Sequence, residues 1–315
     1  MTLASGAGSR ARTGRPVKRR YHWREIVAVL GGPTGCAGAV IVVTMIAAAL
    51  LAPVIAPNDP IAVHLEYKLV APNAQFWFGT DQAGRDVLSR VIWGARPSLE
   101  VGMLAVVIGV AGGVALGLIA GFYSGGWFEQ VIMRTLDALA AIPLLVWAIA
   151  IVGVIGVGPM HIGPIALGNE FKVMALLGLL YIPGLARLTY AAALGETRAD
   201  YVAARRLQGI AGWRIMLSDV LPNCLSPVIV QATLLVAIGI IVEAAISFVG
   251  LGVQPPTPSW GTMLADARNF LFSGEWWLSL FPGIAISLTV IGYNLLGDSL
   301  RDVLDPRRNT AIFTA

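Results

Sequence analysis

The chain has 315 residues, of which 57% are hydrophobic and only 13% are charged, and its mean hydropathy is +0.75. Soluble domains carry about 25% charged residues, and a soluble chain this apolar would lack the polar groups that cover a surface. The net charge of +4 is concentrated near the N-terminus without interleaved aromatic residues, which argues against a nucleic-acid partner. The composition therefore predicts an integral membrane protein whose surroundings include membrane lipid.

Residues 1–36 form a basic segment that contains one acid, Glu25. Because basic segments stay on the cytoplasmic side of a membrane, we predict a cytoplasmic N-terminal tail. The next stretch, 37–56, is predicted to be a retained first transmembrane helix, since the segment before it is longer than the n-region of a usual signal peptide. The basic residues of the tail are Arg10, Arg12, Arg15, Lys18, Arg19, Arg20 and Arg24.

A helix needs about 20 mostly apolar residues to cross a hydrocarbon core of roughly 30 Å. The sequence has about six segments of this kind, so we predict an all-α membrane protein with about six transmembrane helices. Both termini are expected to be cytoplasmic, because Lys and Arg are more frequent in the segments on that side. The predicted spans are 37–55, 101–122, 138–157, 173–190, 227–251 and 278–296.

The segments between the spans suggest the organisation of the chain. Residues 57–100 are predicted to be an external loop with an amphipathic stretch near Asp86. Residues 101–300 are predicted to be a core of five transmembrane helices that includes a cytoplasmic loop at 196–223, and residues 301–315 a cytoplasmic tail. The two cysteines, Cys36 and Cys224, lie beside apolar runs and are expected to be structural, because no Cys or His spacing indicates a metal site.

The second predicted span carries glycines at intervals of four residues. This spacing removes the side chains from one face of a helix and lets a second helix approach closely. We therefore predict a helix-packing face, with a substrate groove as the alternative. The four residues are Gly109, Gly113, Gly117 and Gly121.

The loop at 196–223 is predicted to be a hairpin of two short helices. Thr197 and Asp200 resemble a capping box that starts the first helix, and Gly209 suits the left-handed residue that ends it. A second helix is predicted from Trp213 onward, and Pro222 is well placed in the first turn of the fifth span. An exposed Trp213 would be an anchor for another protein, whereas the alternatives are an amphipathic pair at the lipid interface or a solvated loop.

The hairpin resembles the "EAA" loop of ABC-importer permeases, with the pattern EYVEAARALGA…W…LPN. The chain departs from this pattern at Ala203, where the family usually has Glu, and at Arg205, where it has Ala. The resemblance implies that the loop couples the membrane domain to an ATPase. The matching residues are Asp200, Tyr201, Val202, Ala204, Arg206, Gly209, Trp213, Leu221, Pro222 and Asn223.

Three further segments are similar, in the same order, to C-type permeases of dipeptide and oligopeptide importers. They are FGTDQAGRDVLSRVIWGARPSLEVG at 78–102, ISFVGLGVQPPTPSWGTMLADARNFL at 246–271 and GDSLRDVLDPR at 297–307. The resemblance implies the type I ABC importer permease fold in the bacterial inner membrane. It also implies three kinds of protein partner, namely a B-type permease in a heterodimer, two cytoplasmic ATPases and an external binding protein.

The resemblance implies a subunit without catalytic residues, and ATP and magnesium would be bound by the partners. The sequence agrees, because it lacks the phosphate-binding pattern GxxxxGK[ST]. Peptides are the expected substrates, and nickel complexes, glutathione, opines or sugars are the alternatives within the family. A secondary transporter driven by an ion gradient is the alternative outside it.

Two acids lie in or near the spans, where a carboxylate is costly and faces the bundle interior or water. We expect Asp137 to pair with Arg134 one helical turn away. Glu243 lies deeper in the fifth span. It is a candidate pathway residue that would meet a cationic substrate group, or alternatively a residue that bonds a neighbouring helix.

Overall fold

The structure is a computed structural model that describes residues 32–156, 158, 160–162 and 165–304. Most of the predicted N-terminal tail (1–36), most of the C-terminal tail (301–315) and the predicted end of the third span at Val157 lie outside the described residues.

The described residues form ten α-helices. They are α1 (Pro33–Ile55), α2 (Val87–Phe122), α3 (Trp127–Ala140), α4 (Leu144–Ile155), α5 (Asn169–Glu196), α6 (Asp200–Leu207), α7 (Gly212–Ile215), α8 (Leu221–Phe248), α9 (Trp260–Ala267) and α10 (Trp277–Leu304). A π-helical segment, Met216–Val220, joins α7 to α8, and 3₁₀ turns occur at Leu65–Tyr67 and Arg268–Phe270. The strands in the described part are β1 (Met160–Ile162) and β2 (Ile165–Leu167), which pair antiparallel between α4 and α5.

Five helices are long and apolar enough to cross a membrane, and a bent pair, α3 with α4, brings the number to six. The prediction of about six transmembrane helices is therefore confirmed. The third predicted span differs in shape, because α3 and α4 meet at an angle of 83° instead of forming one straight helix. The break at 141–143 ends in Pro143, and a proline disfavours the helical conformation of the residue before it.

The second span begins at Val87, well before the predicted start at residue 101. Asp86 is the N-cap of α2, and its carboxylate accepts a hydrogen bond of 3.1 Å from the Ser89 amide. Such a cap satisfies one of the free amides at the start of a helix. The amphipathic stretch predicted within the loop is thus the first turns of α2.

Helix α2 is central to the bundle and packs along α5, α8 and α1. Its most extensive contact is with α5, and the four glycines of the stripe face this helix. A Cβ atom placed on Gly109 would lie 2.7 Å from Tyr181 Cβ, and one on Gly113 would lie 2.5 Å from Leu185 Cβ. A Cβ atom on Gly121 would lie 2.8 Å from Ala193 Cβ, and one on Gly117 would overlap the Ala186 carbonyl oxygen. The two backbones therefore approach so closely that any side chain on this face of α2 would collide with α5.

We predict that Gly113→Ala destabilises the bundle, because its methyl group would overlap Leu185 Cβ and approach the Ala186 backbone nitrogen. Overpacking of this kind costs about 1–3 kcal/mol, so the melting temperature of the purified protein should fall. The control is Gly184→Ala on α5, where no atom lies within 4 Å of the added Cβ. Equal melting temperatures for the two variants would contradict the close contact between α2 and α5.

Candidate functional site: the hairpin between α5 and α8

The first helix of the hairpin begins differently from the prediction. Its N-cap is Ala199, which provides no side-chain cap. The Thr197 hydroxyl instead donates a hydrogen bond of 3.1 Å to the Leu194 carbonyl. The predicted capping box is therefore wrong, because Thr197 directly follows α5 and bonds back to that helix.

Gly209 follows α6 and has a φ angle of +75°, the left-handed conformation that lets the chain reverse. The second helix of the hairpin, however, does not end before the fifth span. Residues Gly212–Phe248 form one helical rod of 37 residues that passes through the π-helical segment. Helix α8 begins at Leu221 with Pro222 in its first turn, as predicted, but no break separates it from the hairpin, because the rod continues into α8 from the π-helical segment.

An apolar cluster anchors the hairpin to the bundle. Val202 of α6 and Ile215 of α7 are fully buried and pack against Phe122 of α2 and Ala193 of α5. Gly212 also lies against the Phe122 ring, since a Cβ atom placed on Gly212 would lie 3.5 Å from Phe122 Cε1. The orientation of the hairpin consequently depends on the ends of the two helices that cross at the glycine stripe.

Polar contacts connect α6 with both helices beside it. The Tyr201 hydroxyl donates to the carboxylate of Glu196 at the end of α5 and accepts a hydrogen bond of 3.1 Å from Asn223 Nδ2 in α8. Asn223 Nδ2 also donates to the Asp219 carbonyl at 2.9 Å. Burial, and then the bond to Glu196, raises the pKa of Tyr201 to about 12. The phenol therefore remains protonated, and a hydrogen-bond donor, at neutral pH.

An ion pair that sequence reasoning missed joins the two arms of the hairpin. Arg205 Nε lies 3.1 Å from Asp219 Oδ2, and Arg205 Nη2 lies 3.2 Å from Asp219 Oδ1. These two bonds form the bidentate arrangement that a guanidinium and a carboxylate favour. The sequence offered one indication of this pair, namely Arg205, a charged residue at a position where the resembled pattern has Ala. Its acid lies fourteen residues along the chain, and only the fold brings it close.

The outer face of the hairpin is both apolar and basic. Leu207 is 90% exposed, Trp213 is 55% exposed, and the Arg214 guanidinium carbon lies 5.2 Å from the centre of the Trp213 ring. The Arg206 guanidinium stacks on Phe122 at 5.5 Å. An open groove of about 430 Å³ runs across this face and is lined by Arg205, Ile210, Trp213, Arg214, Leu217 and Ser218.

Most of the predicted coupling residues lie on the surface of the hairpin. Leu221 is half-buried in the apolar cluster, and Tyr201 is exposed at its ring while its hydroxyl is hydrogen-bonded. The exposed predicted residues are Asp200, Ala203, Ala204, Arg206, Gly209, Trp213 and Pro222. The structure therefore gathers these residues at one end of the bundle.

Glu243 lies far from the hairpin and is fully buried. Its carboxyl group accepts hydrogen bonds from Ser98 of α2 at 2.9 Å and from Ser247 of α8 at 2.7 Å. The Ser98 hydroxyl in turn accepts a bond of 3.4 Å from the Trp260 amide at the start of α9. This geometry favours the alternative in which Glu243 bonds a neighbouring helix.

We predict that Glu243→Gln retains the fold, because an amide can bond both serines after their hydroxyl groups reorient. Glu243→Ala should lower thermal stability by about 1–3 kcal/mol, the cost of leaving buried hydroxyl groups without partners. The comparison requires melting curves and the yield of folded protein for both variants. A Gln variant that is as unstable as the Ala variant would contradict this role.

The end of the bundle opposite the hairpin, where Glu243 lies, carries an ionic cluster between the α1–α2 connection and α9. Arg85 Nε lies 2.7 Å and Arg90 Nε 3.5 Å from Asp81 Oδ2, and both guanidinium groups lie 3.7 Å from Asp266. Burial raises the pKa of Asp266, and the two arginines oppose this effect. Part of the 78–102 motif thus ties this connection to α9.

The other acid near the spans does not pair as expected. Asp137 Oδ1 lies 2.6 Å from Arg187 Nη2 on α5, so the predicted pair with Arg134 is wrong. Asp137 lies in the last turn of α3, just before the bend, and α3 packs against α5 at this point.

Among the described residues, no group of three His, Cys, Asp or Glu side chains is placed to hold a metal ion.

Comparison with known proteins identifies the class to which this bundle belongs. Residues 113–310 match the family described as "Binding-protein-dependent transport system inner membrane component". The chain is 44% identical over 280 residues to a di/tripeptide transport system permease protein of Pseudomonas aeruginosa, covering 87% of this chain and 88% of that protein.

Two further relatives are similar over almost their whole length. A probable D,D-dipeptide transport system permease protein of Escherichia coli is 37% identical over 295 residues, which is 93% of this chain and 95% of that protein. A glutathione transport system permease protein of Pectobacterium atrosepticum is 36% identical over 291 residues, covering 91% and 92%.

The helical bundle and these matches define a multi-pass transport protein of the bacterial inner membrane. The chain belongs to the family of binding-protein-dependent transport system inner membrane components, which are the membrane permease subunits of ABC importers. The resemblance to dipeptide and oligopeptide permeases, the type I permease fold and the inner-membrane location are thereby confirmed.

Proposed function

We propose that this chain forms half of the translocation pathway of an ATP-driven importer and that the hairpin between α5 and α8 couples it to an ATPase. The main observation in support is the exposed side chain of Trp213, which follows the left-handed Gly209. The buried side chain of Val202 holds this part of the hairpin against α2 and α5. Exposed aromatic and arginine side chains of this kind are typical anchors at protein interfaces. In this proposal the hairpin lies in the cytoplasm, together with both termini.

The proposed complex has four kinds of component. A second permease of B type pairs with this chain, two ATPase subunits bind ATP and magnesium at the cytoplasmic face, and an external binding protein delivers the substrate. The arginines on the hairpin favour an ATPase surface that carries acidic groups beside an apolar pocket. ATP-driven closure of the ATPases would displace the hairpin and reorient the helices as rigid bodies.

Small peptides are the proposed substrates. This choice rests on the relatives, whose names refer to di- and tripeptides, D,D-dipeptides and glutathione, itself a tripeptide-like molecule. Peptide uptake by vesicles that contain the complete complex, in competition with dipeptides, tripeptides and glutathione, tests the proposal. Uptake that no peptide competes with would contradict it.

We predict that Trp213→Ala weakens the binding of the ATPase, since truncating an interface anchor commonly costs about 2 kcal/mol or more. Binding is measured by copurification, and the matched control is Trp127→Ala, an exposed tryptophan outside the hairpin (65% exposed). Stimulated ATP hydrolysis and uptake should fall together in the Trp213 variant and remain normal in the control.

Gly209→Val should have the same consequence, because a β-branched residue is strained at a φ angle of +75°. Asn tolerates the left-handed region far better, so Gly209→Asn should retain most of the coupled activity. Normal activity in both Gly209→Val and Trp213→Ala would show that this hairpin does not couple the subunits.

The orientation is tested by cysteine labelling in a background that lacks Cys36 and Cys224. Ala74→Cys, at an exposed position of the α1–α2 connection, should react with an impermeant thiol reagent in intact cells. Arg308→Cys should react only after the membrane is permeabilised. The reverse pattern would invert the proposed topology.

A further inference from the structure

We propose that Arg205 and Asp219 are a positioning pair that transmits displacement of the hairpin into α8. The inference rests on the proposed coupling role of the hairpin, and it assigns to this ion pair a task distinct from docking. Docking requires the outer face of α6 and α7, whereas transmission requires a rigid connection between α6 and the long rod that begins at Gly212.

The rod has a weak point near the hairpin. Residues 216–220 are π-helical, and π segments are places where helices bend and are frequent at functional sites. A push on α6 and α7 would be absorbed by bending at this segment unless another contact bridged it. The helix beyond the segment, α8, packs along α2, α5 and α10, so its displacement would move the bundle.

The ion pair meets this requirement. Asp219 belongs to the π segment, and its carboxylate receives both bonds from Arg205 of α6, at 3.1 and 3.2 Å. Next to it, Asn223 in the first turn of α8 donates to the Tyr201 hydroxyl of α6. Helix α6 is therefore bonded to the π segment and also to the helix beyond it.

The apolar cluster seats the hairpin on the bundle, and the ion pair adds a directional constraint to it. Contacts of Val202 and Ile215 with their neighbours are non-directional. A bidentate ion pair defines both a distance and an orientation. The Asp219 side chain is only 19% exposed and that of Arg205 39%, so water competes with the pair less than at a fully exposed site.

The pair also distinguishes this chain within the resembled pattern. Arg205 occupies a position where that pattern has Ala, and Ala203 occupies one where it has Glu. The chain thus lacks the carboxylate that the pattern has at position 203 and carries at position 205 a charge that bonds within the hairpin.

The test uses reconstituted vesicles that contain the full complex, and the measured quantity is substrate taken up per ATP hydrolysed. Asp219→Ala, which breaks the pair and leaves Arg205 on the docking face, should retain ATPase binding and stimulated hydrolysis, while uptake per ATP falls by about threefold, the scale of a partly exposed ion pair. Reversing the charges in a double variant, Arg205→Asp with Asp219→Arg, should restore the ratio. The control is Arg301→Ala in the last turn of α10, which removes an exposed basic charge outside the hairpin.

The outcomes separate this inference from the proposed function. A wild-type ratio in Asp219→Ala overturns the positioning role, including the case in which binding, hydrolysis and uptake all decline together. If the charge reversal fails to assemble, Asp219→Asn decides, because its amide oxygen can still accept one hydrogen bond from Arg205 and should raise the ratio above that of Asp219→Ala. Failure of the coupling role itself would instead be seen as normal ATPase binding and activity in Trp213→Ala and Gly209→Val.

Discussion

The close contact between α2 and α5 is the constraint on which the rest of the bundle depends. In lipid, apolar side chains gain little by meeting one another, so helices associate through tight packing and interhelical bonds. The glycine stripe, with Gly113 against Leu185 as its tightest point of side-chain contact, lets two long helices approach to backbone distance. Because α2 also packs on α1 and α8, the geometry of this crossing sets the positions of most other helices.

The contact between α2 and α5 also determines the positions of the residues that hold the elements at both ends of the bundle. At one end, Phe122 of α2 and Ala193 of α5 form the surface on which the hairpin is seated. At the other end, Ser98 of α2 bonds Glu243 of α8, and the same serine accepts the Trp260 amide of α9. Helix α8 therefore connects a polar, hydrogen-bonded end to a hairpin whose outer face is apolar and basic.

Polar groups within the bundle are few, and their roles are structural wherever the described contacts reveal them. The carboxyl group of Glu243 is surrounded by serine hydroxyls, and Asp137 is paired with Arg187. Both acids thus connect helices, and for the fully buried Glu243 this bonding is expected, because unpaired buried polar atoms are expensive. The exposed apolar side chains Leu207 and Trp213 of the hairpin make no such bond between helices among the described residues, which is why the proposed function rests on this surface.

The sequence by itself determined the class of the protein, the number of spans, the glycine stripe and the residues of the hairpin. These features are local: apolar length, a four-residue spacing and an ordered set of motifs can be read along the chain. Only the tertiary structure decided that α2 begins at Val87, that α3 and α4 are bent apart, and that the rod from Gly212 continues through a π segment. It alone paired Arg187 with Asp137 and Arg205 with Asp219. The physical reason is that an ion pair or a bend depends on which helices become neighbours, and that information is spread over residues distant in sequence.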